Sequence, residues 1–213
     1  MSVRRLPVYI LLDTSGSMRG EPIHSVNVGL RSLLEALRAD PYALESVHLS
    51  LITFDNQARV YLPLTPLEQV QLRDLAVPDA GATFTGAALE LLIQQVDAEV
   101  QRSSANQKGD WRPLLFVMTD GAPSDLYAYR QAIPQLRARN FGLVVGCACG
   151  PKAKTEALLE LTDQVVSLDT MDASAFAGFF KWVSASVVVG STSAGVAGST
   201  RLPPPPPEVQ LVL

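Results

Sequence analysis

Cysteine and histidine are scarce in this sequence. It has two cysteines, Cys147 and Cys149, and two histidines, His24 and His48, among 213 residues. A zinc site needs more nitrogen and sulfur donors than these positions offer, and isolated histidines give a Ser-His-Asp triad little support. The cysteines stand one residue apart at the end of an apolar run. We interpret them as core thiols rather than as a disulfide.

Charge is also limited, and neither sign dominates. Lys and Arg total 17 and Asp and Glu 21, for a net charge of −4. Without a basic block, the sequence lacks the electrostatic footprint of a nucleic-acid-binding protein. We find no run of the ~20 apolar residues that a membrane span needs, and the apolar residues 8–12 are too few for a signal peptide. We therefore expect a cytoplasmic protein with no direct membrane insertion.

The apolar residues are arranged as in an α/β domain. They make up 47% of the chain, enough for one globular core. Residues 8–12 and 113–119 are continuous apolar runs, typical of strands buried on both faces of a parallel sheet. Residues 21–38 have the spacing of an amphipathic helix, with Pro22 in its first turn. Further helices are predicted at 66–76, 87–101, 126–138, 152–161 and 172–188.

The order of these elements predicts the fold class. Strands that alternate with helices indicate βαβ crossovers, while 47–54 and 58–62 read as an edge hairpin. We expect a three-layer, doubly wound, mostly parallel six-stranded sheet with an antiparallel edge hairpin and helices on both faces.

The composition changes at Gly190. Gly, Ser, Thr and Ala dominate from there, and residues 203–207 are all proline. Such a segment has little apolar surface to bury, which predicts a flexible tail over 190–213 after a domain at 1–189. The tail is either solvated or docked on an aromatic groove of a partner.

Polar loops that follow apolar segments carry the candidate chemistry. Asp13 ends the first buried strand, and Ser15 and Ser17 follow it at steps of two. Asp120 ends the strand at 113–119. In open α/β sheets, ligands bind beyond the carboxyl ends of the strands, where the strand order reverses. Two carboxylates held close together there repel each other unless one is protonated or a cation lies between them.

The donor types restrict which cation fits. The available groups are carboxylate and hydroxyl oxygens, which favour Mg²⁺, Mn²⁺ or Ca²⁺ over zinc or copper. Few carboxylates with several hydroxyls favour Mg²⁺ among these. Because most of its ligands are neutral, the ion is expected to accept one more anionic oxygen from outside.

Three segments resemble those of von Willebrand factor type A (VWA) domains. The D-T-S-G-S of residues 13–17 matches the D-x-S-x-S motif of that family. The G-A-T-F-T-G of 81–86 is similar to its threonine loop, and the T-D-G-A-P of 119–123 to its T-D-G segment. The order of the three also agrees, and the resemblance covers about residues 6–188. A VWA/Rossmann-like fold is therefore expected.

The resemblance implies a metal-ion-dependent adhesion site (MIDAS), in which a carboxylate of a partner protein completes the metal sphere. Thr85 is the alternative to Thr83 as the ligand from the threonine loop. It is also interpreted as the N-cap of the helix that follows. Asp125 is interpreted as the N-cap of the helix that follows it. Carried over by position, the metal ligands are Asp13, Ser15, Ser17, Thr83 and Asp120.

The function expected from this site is non-enzymatic, metal-dependent protein binding. A Mg²⁺-dependent phosphoryl-transfer enzyme is one alternative, and a scaffold with a purely stabilising metal is another. Residues 51–64 and 179–186 further resemble bacterial tellurium-resistance proteins of the TerY type. That resemblance implies a stress-response scaffold whose partners are TerD-like proteins, kinases or phosphatases.

Overall fold

The computed structural model describes residues 4–78, 81–104, 108–151, 153–193 and 202–212. Its strands are β1 (Leu6–Asp13), β2 (Val47–Phe54), β3 (Ala58–Pro66), β4 (Leu114–Thr119), β5 (Leu143–Cys149), β6 (Val165–Leu168) and β7 (Gln210–Val212). Its helices are α1 (Glu21–Ala39), α2 (Pro41–Ser46), α3 (Thr85–Glu99), α4 (Leu126–Arg137), α5 (Glu156–Leu161) and α6 (Ala173–Ser193).

The strands form one sheet in the order β3-β2-β1-β4-β5-β6-β7. β1 lies between β2 and β4 and is parallel to both, whereas β3 and β7 are antiparallel to their neighbours. The chain leaves β1 towards β2 and later returns to β4 on the other side. The strand order therefore reverses between β1 and β4, which confirms the predicted doubly wound fold class.

β1 shows why a continuous apolar run forms a central strand. Its alternate residues Val8 and Ile10 belong to one core cluster, which contains the buried side chains of α1 and α6. Tyr9 and Leu11 point the other way, into a second cluster with α3 and α4. Successive side chains of a strand face opposite sides, so both faces of β1 must be apolar.

The segment predicted as a helix at 66–76 is different in the structure. Only a short 3₁₀ turn forms, at Leu67–Gln69, and the chain then continues without regular structure to residue 78. Side chains of α1 hold this segment instead. The Asn27 amide exchanges hydrogen bonds with the backbone of Leu75 (2.8 and 3.0 Å), and Arg38 donates to the carbonyl of Leu67. Long-range bonds therefore replace the local helix.

The structure also differs from the predicted flexible tail. α6 continues past Gly190 to Ser193, residues 194–201 lie outside the described residues, and β7 adds a seventh strand to the sheet. Trp182 Nε1 donates to the Pro203 carbonyl (2.8 Å), and Val209 is 3% exposed in the core. An indole donor and an open sheet edge thus order a proline-rich segment that has little apolar surface of its own.

Helix α6 corrects the expectation that no segment is long and apolar enough to span a membrane. Ala173–Ser191 meets both criteria, with a mean hydropathy of 1.4, but 56% of that stretch is buried inside the domain. It packs so closely on α1 that a Cβ at Gly29 would lie 2.2 Å from the Phe180 ring. Packing between the sheet and α1 accounts for its apolar composition.

The interpretation of the cysteines as core thiols is confirmed. Cys147 and Cys149 are free and buried on β5, with their sulfur atoms 3.7 Å apart. Burial raises the pKa of the Cys149 thiol, and the neighbouring Cys147 raises it further. The Cys149 side chain therefore remains a neutral member of the core.

Candidate metal centre

Asp13 is a carboxylate buried at the end of β1, an interior strand of the sheet. Its side chain is 1% exposed, Oδ1 accepts from the Ser15 amide (2.8 Å), and Oδ2 accepts from Thr119 Oγ1 (2.6 Å). Burial raises the pKa of the Asp13 carboxyl, hydrogen bonds from Ser15 and Thr119 offset part of that rise, and the negative charge of Asp120 adds to it. The structure thus places Asp120 close enough for the predicted repulsion.

This charge is not balanced by a cationic side chain of the described residues. Among them, no Lys, Arg or His forms an ion pair with Asp13 or Asp120. By contrast, the carboxylates of Asp55 and Asp110, also buried, are paired with arginines at 2.8 and 2.6 Å. A buried carboxylate is normally paired or coordinates a metal. Asp13 lacks the first of these and therefore fits the second.

The first loop brings two hydroxyls to the same place. Ser15 is 2% exposed, whereas Ser17 is exposed, and their Oγ atoms lie 3.2 Å apart. A 3₁₀ turn, Gly16–Met18, begins directly after Ser15 and buries the Met18 side chain. The buried methionine anchors the turn. The hydroxyls therefore run from the interior, next to Asp13, out to the surface.

The threonine loop packs against both other loops. The amide of Phe84 donates to the Asp55 carbonyl (2.8 Å), which attaches the loop to the end of β2. A Cβ at Gly81 would lie 3.5 Å from Ser15 Cα, and one at Gly121 would lie 3.4 Å from Thr83 Oγ1. The hydroxyl of Thr83 therefore lies beside the loop that carries Asp120. The three loops that carry the predicted ligands therefore lie together at the carboxyl ends of β1 and β4.

Thr85 does not have the capping role that the sequence suggested. It is the first residue of α3, its side chain makes no cap hydrogen bond, and its Oγ1 is buried without a partner in the described part of the chain. Asp125 makes no cap for its own helix α4. It instead accepts from the amides of Gly86 and Ala87 (2.9 and 2.8 Å). The separation of 39 residues between Gly86 and Asp125 left no local sequence signal for this contact.

The donor set suits a hard divalent cation. The described residues contain no cluster of three or more His, Cys, Asp and Glu, so hydroxyl groups must complete any metal sphere here. Oxygen ligands are those of Mg²⁺, Ca²⁺ and Mn²⁺. Since Ser17 is exposed and Asp120 partly so, a cation held here would face solvent on one side.

A separate cleft lies at the opposite end of the strands from the candidate metal centre. Its volume is about 900 Å³, and its lining includes Phe141, Gln164, Trp182 and Pro203. Phe141 and Gln164 precede the first residues of β5 and β6, at the amino ends of the strands. The cleft therefore takes no part in the candidate metal centre.

A doubly wound sheet with an oxygen-rich carboxylate site at its switch point defines a class of α/β ligand-binding domain. Within that class, this chain belongs to the von Willebrand factor type A domain family, whose sequence profile matches residues 8–173. The match includes all three loops of the site.

A known protein is similar in sequence to about half of this chain. An uncharacterised protein, sll0103, from Synechocystis sp. is 31% identical over 128 residues, which are 55% of this chain and 26% of that protein. The chain thus spans about a quarter of that relative's length.

Structural neighbours share the fold at low identity. Proximal thread matrix protein 1 from the mussel byssus has a TM-score of 0.67 at 16% identity, over 85% of this chain and 48% of that one. The pilus adhesin SpaC from Lactobacillus rhamnosus GG has a TM-score of 0.68 at 12% identity, over 89% and 31%. Another structure of the mussel protein, with a TM-score of 0.66 at 16% identity over 85% and 48%, has a zinc-occupied MIDAS motif.

Proposed function

We propose that this domain is a metal-dependent protein-binding module. A divalent cation, Mg²⁺ in the first instance, is held by the three loops and recruits an acidic side chain of a partner. The observation that carries the proposal is the buried Asp13 carboxylate, which has no ion-pair partner in the described part of the chain. It accepts from the Ser15 amide, and the hydroxyls of Ser15 and Ser17 in the same loop lie 3.2 Å apart. The ligands are Asp13, Ser15, Ser17, Thr83 and Asp120.

The charge of the site favours an acidic partner group. Its two carboxylates together neutralise one divalent cation, and the remaining ligands are neutral hydroxyls. A bound ion with an open position facing solvent attracts an anionic oxygen, and a protein partner offers this as Asp or Glu. The zinc-occupied MIDAS motif of the mussel protein supports a divalent ion at the corresponding place of the fold.

The geometry also favours binding over catalysis. Both carboxylate oxygens of Asp13 already accept hydrogen bonds, and the side chain is 1% exposed. It is therefore poorly placed to attack a phosphorus atom, as a phosphoryl-transfer enzyme would require. We accordingly include a non-enzymatic role in the proposal.

The narrower role rests on the sequence resemblance of residues 51–64 and 179–186 to TerY-type proteins. On that basis we place the domain in a cytoplasmic, bacterial tellurium-resistance or stress-response system. TerD-like proteins, kinases and phosphatases are the partners to test.

Binding assays with purified candidate partners test the proposal. Binding to the immobilised domain is expected in Mg²⁺, absent in EDTA, and restored when Mg²⁺ is added back. Asp13→Asn is expected to abolish it while circular dichroism remains native. Unchanged binding in EDTA would contradict the proposal. Metal-dependent hydrolysis of an aryl phosphate that Asp13→Asn removes would favour the enzyme instead.

A further inference from the structure

The loop that follows Asp120 is hydrogen-bonded to the threonine loop. The backbone amide of Ser124 donates to the Thr83 carbonyl (2.8 Å), and the Thr83 amide donates to Ser124 Oγ (3.2 Å). Both backbone polar groups of Thr83 are therefore satisfied by a single residue of the neighbouring loop. The position of Thr83 thus depends on the segment that also carries Asp120.

Asp125 makes the second connection between these loops. Its carboxylate accepts from the amides of Gly86 and Ala87 (2.9 and 2.8 Å), which lie in the first turn of α3. A carboxylate at a helix N-terminus is favourable because it pairs with those amides and with the positive end of the helix dipole. This contact connects the start of α3 to the residue just before α4.

Neighbouring residues fit this contact closely. A Cβ at Gly86 would lie 2.4 Å from the Tyr129 amide and 2.8 Å from Asp125 Oδ2, so the absence of a side chain there allows the helices to approach. Thr85 is the residue that could have capped α3 locally, yet its hydroxyl has no partner among the described residues. The cap of α3 is thus supplied across the two loops rather than within one.

We propose that Asp125, with Ser124, is a positioning residue that sets the cation affinity of the site by fixing Thr83 relative to Asp120. The inference rests on the proposed metal-binding function. Both oxygens of Asp125 are occupied by amides, so it acts through the loop and not as a ligand. Groups that orient metal ligands usually contribute 10–100-fold to metal affinity.

Asp40 provides a matched control. It also caps a helix, since its Oδ1 accepts from the Ala43 amide at the start of α2 (2.8 Å), but α2 precedes the amino end of β2, away from the site. Mn²⁺ affinity is measured by isothermal titration calorimetry on wild type, Asp125→Ala and Asp40→Ala. The temperature is chosen so that circular dichroism shows all three folded.

We expect Asp125→Ala to weaken Mn²⁺ binding by about tenfold or more, while Asp40→Ala stays within about twofold of wild type. Asp125→Asn keeps one amide acceptor and should fall between wild type and Asp125→Ala. It also serves as the test variant if Asp125→Ala does not fold. Equal affinity in wild type and the Asp125 variants overturns the positioning role alone, whereas no Mn²⁺ binding by wild type overturns the proposed function as well.

A double-mutant cycle distinguishes positioning from a general loss of stability. If Asp125 acts through Thr83, the effect of Asp125→Ala on Mn²⁺ affinity should largely disappear in a Thr83→Ala background. A purely structural effect would weaken both backgrounds by the same factor. Additive losses in the cycle would therefore overturn the inference.

Discussion

Replacing Asp13 by Asn removes the buried charge with little change of shape. The amide oxygen that Asp13→Asn introduces can accept from the Ser15 amide as the carboxylate does. The new amide nitrogen would donate to Thr119 Oγ1, whose own hydrogen can turn to the Gly121 carbonyl, 3.3 Å away. Every hydrogen-bonding group around the side chain thus keeps a partner. The variant therefore tests the charge and not the packing.

Without metal, this variant should be more stable than wild type. Because burial raises the pKa of Asp13, the unfolded chain loses its proton first, and the free energy of unfolding falls as the pH rises through the folded pKa. An unpaired buried ion costs several kcal/mol, and each hydrogen bond to it returns about 1.5–3 kcal/mol. We expect a net gain for Asp13→Asn on the order of 1 kcal/mol at pH 7, or about 2–4 °C in Tm.

With metal bound, wild type should be more stable than Asp13→Asn. A ligand at 100 times its Kd stabilises the native state by about 2.7 kcal/mol, which corresponds to about 5–10 °C in Tm for a domain of this size. Wild type should show that rise with Mg²⁺ or Mn²⁺, and Asp13→Asn should show none. Thermal melting in EDTA and in a series of metal concentrations measures both effects.

Asp110→Asn is the matched control for the sign of the first effect. The side chain of Asp110 is also buried but is paired with Arg5 at 2.6 Å, so this change should lower the Tm in EDTA and leave the response to metal intact. A lower Tm for Asp13→Asn than for wild type in EDTA would refute the uncompensated-charge argument. A metal-induced rise in Asp13→Asn would show that Asp13 is not a ligand.

Other parts of the structure give further predictions. Burial lowers the pKa of His48, so the unfolded chain binds more protons and the free energy of unfolding should fall as the pH drops below about 6.5. Urea titrations at pH 7.5 and 5.5 should show a smaller fall for His48→Gln, and an equal fall would contradict this. Gly86→Ala should lower the free energy of unfolding by about 1–3 kcal/mol because the added Cβ would collide with the backbone of α4. Gly16→Ala should not, because its added Cβ has no neighbouring atom within 4 Å. Calorimetry compares the two variants. Trp182→Phe removes the hydrogen bond to the Pro203 carbonyl and should lower the free energy of unfolding by about 1 kcal/mol. Proteolysis near the C-terminus should become faster. Unchanged proteolysis would show that this bond does not hold the segment.

The parts of the site that sequence predicts are local in the chain. Asp13, Ser15 and Ser17 stand at steps of two after an apolar strand, and the hydroxyl contact of the two serines follows from that spacing. The sequence also predicts the fold class, because strands buried on both faces have continuous apolar runs. In both cases the residues that determine the structure lie within a few positions of one another.

Contacts across long sequence distances account for what the sequence did not predict. Asn27 holds residues near Leu75 from 48 positions away, in place of the expected helix. Trp182 and the β6 edge order a proline-rich segment that composition predicts to be flexible. Asp125 caps a helix that begins 40 residues before it, so spacing gave no reason to assign it to α3.

Long-range contacts also explain how a stable domain can hold two neighbouring carboxylates. The repulsion between Asp13 and Asp120 would open a loosely held edge, but Asp13 ends a strand bonded on both sides to parallel neighbours. The adjacent loops are cross-linked through Ser124 and Asp125. Because the frame resists relaxation, the unfavourable charge remains available to a cation. Under the proposed function, part of the affinity for a cation would therefore come from relief of the repulsion between these two carboxylates.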